Sequence, residues 1–155
     1  MAKVNLDKLQ ATDNGNIETV VAEVALPNGS LIALGEAIED NREALKAIAP
    51  TATEELLLVA RPEVQYDNRR VDELDFTTPA GLETRAYHLT VGDKFQVEQA
   101  LFTATPAKND IVTGDTATYG YKTAGGTERT TFKVERLTKF GWDKRDMALL
   151  RVITA

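Results

Sequence analysis

The stretch RAYHLTVGDKFQVE, residues 85–98, holds the single histidine of the chain, His88, shortly before Gly92-Asp93. A histidine does general acid–base chemistry or activates a nucleophile when a neighbour orients it and a reacting group lies within hydrogen-bond reach. Nucleophile types are scarce. The lone serine, Ser30, follows a turn glycine and lacks a Gly-x-Ser-x-Gly elbow. A threonine nucleophile uses a freed N-terminal amine, whereas this chain begins Met-Ala-Lys. On strand alternation His88 shares the polar face with Thr90, and we read it as a structural or surface residue.

Metal and carboxylate chemistry are also poorly provided for. The chain has no cysteine, so a transition-metal site would rest almost wholly on carboxylates. Asp67, Asn68, Asp72, Glu73 and Asp75 have oxygen ligands suited to calcium, but their spacing is not that of a calcium-binding loop. They read as a solvated acidic loop. A carboxylate-dependent hydrolase using Asp67, Asp72 or Asp75 with Glu83 is the enzymatic alternative, although a single tryptophan gives little platform for sugar rings. Gly125-Gly126 is not followed by Gly-Lys-Ser/Thr, so no phosphate loop is present. The expectation is no catalytic residue, no metal and no cofactor.

Charge narrows the partners. Residues 1–80 carry seven Lys/Arg against fifteen Asp/Glu, a net −8, while residues 81–155 carry eleven against nine, a net +2. An acidic first half repels phosphate backbones. Tyr119, Tyr121, Phe132 and Lys133 approach the aromatic-and-basic pattern of single-strand binders, but alternation turns the aromatics towards a core. The basic set Arg129, Lys133, Arg136, Lys139, Lys144 and Arg145 suits solvated strand faces or an acidic protein surface. No long apolar run suggests a membrane span, and MAKVNLDKLQ lacks the apolar segment of a signal peptide. Neither nucleic acid nor membrane is expected as a partner.

The elements that would position these residues are mostly strands. Threonine is abundant, and with Val, Ile and the aromatics it favours pleated, half-buried surfaces. Residues 1–16 are polar and weakly periodic, an extended arm without a core of its own, followed by a single domain over 17–155. Pro27-Asn28-Gly29 predicts a hairpin between 17–26 and 30–36. Residues 35–50 fit a helix through Ile38, Leu45 and Ile48 with Pro50 as a stop, and an extended path stays open. ELLLVARP (55–62) reads as a buried central strand, and residues 63–81 as a charged loop with at most one short strand. Gly92-Asp93 predicts a second hairpin, in which Tyr87, Leu89 and Val91 share one face. In residues 127–140 Phe132 and Val134 alternate with polar neighbours, and MALLRVIT (147–154) reads as an interior strand. The fold class is mainly β: a small barrel or sandwich with an extended N-terminal arm and at most one short helix.

Binding residues remain. Trp142 follows Gly141 in a turn-like setting with Lys139, Lys144 and Arg145 nearby; it makes either an exposed hot spot or a plug for the bottom of the barrel. In the arm, Val4, Leu6 and Leu9 stand at alternate or near-alternate positions and suit addition as a strand to another chain.

Several stretches together resemble the decoration, or head-stabilising, proteins of tailed bacteriophages. They are the arm ending in Asp13-Asn14-Gly15-Asn16-Ile17, the turn Pro27-Asn28-Gly29-Ser30, the run from Glu55 to Val64 with Tyr66-Asp67, and Arg85 to Asp93. The resemblance is diffuse over most of the chain and differs from the compact lambda-like type by the charged insert at 63–81. It implies a mainly β cement protein, homo-oligomeric on the capsid, whose arm engages the major capsid protein. It would be made in the host cytoplasm and carried on the outer capsid surface of the virion. The residues expected to meet the capsid are Val4, Leu6 and Leu9, then Lys139, Trp142 and Arg145. A head–tail connector or tail component is the structural alternative.

Overall fold

Two groups of strands share one apolar interface. A computed structural model describes residues 3–62 and 76–155, the side chains of Asp7, Asn41 and Arg42 aside. In chain order the strands are β1 (Val4–Lys8), β2 (Ile17–Ala22), β3 (Leu26–Pro27), β4 (Leu31–Ile38), β5 (Asn41–Ile48), β6 (Leu57–Val59) and β7 (Thr77–Thr78). There follow β8 (Glu83–Tyr87), β9 (Lys94–Glu98), β10 (Ile111–Gly114), β11 (Tyr121–Thr123), β12 (Thr131–Phe140) and β13 (Arg145–Thr154). One five-residue helix, α1 (Gln10–Asn14), and a 3-10 turn at Gln99–Leu101 complete the regular elements of the described residues. The protein is mainly β.

Strands β2, β5, β4, β6 and β8 close into a small barrel, and β1, β9, β13, β12, β10 and β11 form a six-stranded sheet in that order. Alternation assigns each barrel strand two jobs. Val20, Ile32, Leu57, Val59 and Ala86 fill the barrel. Leu31, Ala33, Leu58 and Tyr87, from the other face of the same strands, pack against Phe95, Val97, Phe132, Val134, Leu150 and Val152 of the sheet. Phe95 and Phe132 meet edge to face at 5.6 Å between centroids. Each such fully buried side chain stabilises the fold by roughly 1.5–3 kcal/mol.

The strand readings at 55–62, 127–140 and 147–154 agree with this arrangement. β6 is buried throughout and lies between β4 and β8, while β13 lies between β9 and β12.

Several pairings differ from expectation. The turn at Pro27-Asn28-Gly29 forms, with Gly29 at φ 93°, but β2 and β4 do not pair across it. The turn is pinned elsewhere. Gly29 N–H donates to the Val59 carbonyl, and the Asn28 amide makes bonds of 2.9 Å to both the N–H and the carbonyl of Arg61. β2 instead runs parallel to β5 and antiparallel to β8.

Residues 35–50 are not helical. β4 and β5 form a hairpin turning at Glu39-Asp40, in which Ala44 and Ala47 are buried and Gly35 lets the strands approach closely. The Gly92 turn also forms, but β8 belongs to the barrel and β9 to the sheet. Buried Asp93 explains the divergence, because its carboxylate accepts N–H groups from Thr90 and Gln10 and so ties the crossing to α1. Val91, expected on the face of Tyr87 and Leu89, is exposed.

The segment expected as an extended arm without a core of its own, residues 1–16, packs against the rest of the chain over its described residues. β1 pairs with β9 through Val4↔Val97 and Asn5↔Gln96, and Leu9, 2% exposed, enters the shared core with Ala11. A polar segment joins the sheet because few apolar contacts suffice once β9 supplies backbone partners.

Candidate functional site

The β12–β13 hairpin outgrows its sheet. β10 pairs with β12 at Lys133 and Phe132, and β9 pairs with β13 over Met147–Arg151. β12 and β13 stay paired with each other as far as Phe140↔Arg145. The two pairs beyond Thr138↔Met147 are therefore a two-stranded ribbon, and Lys3 and Glu98 flank its final pair. Lys3 lies 5.3 Å from the Phe140 ring centre, and Glu98 lies 3.4 Å from Arg145.

Trp142 stands at the tip of this ribbon and is 89% exposed. Gly141 (φ 77°) and Lys144 (φ 54°) provide the left-handed residues of the turn. Of the two placements open for Trp142, the structure takes the exposed one. Leu137, 42% exposed, adds apolar surface further down β12.

Lys139, Trp142 and Arg145 are thus brought into one element, though the two cations are already engaged. Lys139 pairs with Asp146 at 2.5 Å, and Arg145 binds Asp143 at 2.7 Å as well as Glu98. The tip offers an indole framed by neutralised ion pairs. Val4 and Leu6 lie far from this role: both are half-buried against the shared core and line a groove of about 370 Å³ with Arg61 and Tyr87. Leu9 is inside. Docking through Leu9 would require β1 and α1 to leave their own sheet.

His88 has a different setting. Its Nδ1 lies 2.8 Å from Glu55 Oε1 and its Nε2 lies 3.3 Å from Glu18 Oε1. Arg129 approaches the other oxygen of Glu55 at 3.9 Å. Partial burial works to lower the pKa of His88, but the hydrogen bonds and negative charges of Glu55 and Glu18 outweigh it, and the pKa stands above its ordinary value. Both ring nitrogens are therefore occupied by carboxylates. Ser30, the only serine, is buried and donates to the Pro27 carbonyl at 2.7 Å.

Of the carboxylates considered for hydrolysis, Asp67, Asp72 and Asp75 lie outside the described residues, and Glu83 is exposed at the start of β8. Among the described residues no three His, Asp or Glu side chains are placed to hold a metal ion, and no helix is long and apolar enough to cross a membrane. Glu18 and Glu55 are the partners of His88 that the sequence reading missed. They lie 70 and 33 residues from His88, and no local motif marks them.

The mainly β class is as far as these features define the protein. A scan against protein-family models finds no match, and searches of curated proteins and of solved structures find none either.

Proposed function

We propose that the chain is a virion structural protein that decorates the outer surface of a phage capsid, in line with the resemblance in its sequence, and that it adheres through the β12–β13 ribbon. The single observation that carries this reading is Trp142, the most exposed of the large apolar side chains among the described residues, held at the tip of a hairpin that runs two residue pairs past β9. Exposing an indole costs free energy that burial in a partner's pocket returns, and tryptophan is among the residues enriched at interface hot spots. Repetition of one modest contact around a capsid lattice multiplies its effect.

In this reading the protein has no bond-making centre. The engaged nitrogens of His88 and the engaged hydroxyl of Ser30 support that view. The partner is the major capsid protein, and the decorating unit is a homo-oligomer.

The test is cosedimentation of the purified protein with undecorated capsids of the phage that encodes it. Saturable uptake, together with a higher temperature of capsid disruption, supports the reading. Absence of uptake at micromolar protein refutes it.

A further inference from the structure

The barrel has one end closed by charge. Ala86 of β8 is fully buried in the barrel, and His88 lies two residues beyond it. Glu18 lies opposite Ala86 and two residues before Val20, while Glu55 lies two residues before Leu57. Inward-facing rows of three strands therefore end in Glu18, Glu55 and His88. Further groups stand nearby among the described residues. Glu43 of β5 directly precedes Ala44, the partner of Thr19, Arg129 reaches Glu55 from the segment before β12, and Leu34 of β4 packs against the barrel core.

A neutral imidazole carries one N–H and one lone pair, so it can donate to only one of two carboxylates; the imidazolium donates to both. The observed pair of contacts fits the charged ring. We propose that His88, Glu18 and Glu55 form a proton-operated latch: the imidazolium ties the start of β2 to the end of β8, and loss of its proton releases Glu18.

Glu18 is the arm that lets go because its contact is the longer one, whereas Glu55 also has Arg129 within reach. Release bears directly on the N-terminal segment. Asn16, two residues before Glu18, accepts the backbone N–H of His88 at 3.3 Å, and α1 and β1 lie immediately upstream. The latch is closed at low pH and opens as pH rises.

The sign follows from linkage. A group whose folded pKa is raised stabilises fully below its unfolded value, near 6.5, and the stabilisation is lost as pH rises through the folded pKa. Each pH unit of separation between the two changes the opening equilibrium by about tenfold.

The experiment uses the full chain. Nitrogen-15 NMR follows the His88 ring through titration, and amide exchange, corrected for its intrinsic pH dependence, follows Ile17 to Val20 and, as a control, Phe132 and Leu150. The latch requires both ring nitrogens to carry protons up to a midpoint above 6.5. It also requires protection at 17–20 to fall through that midpoint while the controls hold. In Glu18→Gln the midpoint moves down and the fall in protection flattens. A midpoint at or below 6.5, protection at 17–20 that ignores pH, or an unchanged fall in Glu18→Gln would each overturn the proposal.

Discussion

Tyr121 donates its phenolic hydrogen to the Gly29 carbonyl at 2.9 Å, joining the outer strand of the sheet to the turn that leads into the barrel. Both partners are buried, and burial alone pushes the Tyr121 pKa well above its ordinary value. A side chain at Gly29 would be strained. Its φ of 93° is left-handed, and an added Cβ would lie 2.9 Å from Leu101 Cδ1 and 3.3 Å from Val97 Cγ1.

The joint is thus polar, and its turn favours glycine. Tyr121→Phe keeps the ring packing with Phe102 and Phe132 but leaves the Gly29 carbonyl without its buried donor. We expect a loss of about 1–3 kcal/mol in urea unfolding with an unchanged m-value. A change under 0.5 kcal/mol would show that water reaches the joint.

The N-terminal segment is a part of the fold, and its removal is a folding lesion. Leu9→Ala should cost about 2–5 kcal/mol, since Leu9 is almost fully buried in the shared core. Deleting residues 1–14 also uncovers the backbone edge of β9, so the truncated chain should unfold at lower urea and aggregate. Had the segment been a free arm, both changes would leave the urea midpoint in place.

Acid should weaken the outer face of the sheet. The hydrogen bond from Lys94 lowers the pKa of Glu135, and the charges of Lys94, Arg151 and Lys133 add to it. The stabilisation is present above the unfolded pKa, near 4.5, and is lost as pH falls through the depressed folded value. Because these groups are largely hydrated, the difference between wild type and Glu135→Gln should be at most about 1 kcal/mol at neutral pH. It should vanish below the folded pKa and shrink in high salt. Thermal unfolding from pH 2 to 7 measures it.

The sequence displayed strands better than it displayed pairing. Phe132 and Val134 show their inward face by alternation, and the run at Leu57–Val59 shows burial on both sides. These are local properties. Pairing is not, because Gly29 and Gly92 both mark real turns, and buried Asn28 and Asp93 then direct the chain to distant partners. The helical spacing at 38, 45 and 48 misled because β5 turns Leu45 and Ala47, two residues apart, towards the barrel core. Residues 1–16 looked coreless because Leu9 and Ala11 bury too little apolar surface to form a pattern.

At the candidate site, Trp142 was visible as a residue type, but its exposure depends on how far β12 and β13 outrun their neighbours. The convergence of Glu18 and Glu55 on His88 is set wholly by barrel closure.

In the proposed decoration role, adhesion rests on Trp142. It forms no part of either core, so Trp142→Ala should unfold within about 0.5 kcal/mol of wild type. The decisive measurement is the occupancy of undecorated capsids by this variant, in parallel with wild type over a range of concentrations. We predict a loss of at least 2 kcal/mol, or about thirtyfold in apparent affinity. Wild-type affinity in a folded Trp142→Ala protein would contradict the account, because the capsid would then be held by some other surface.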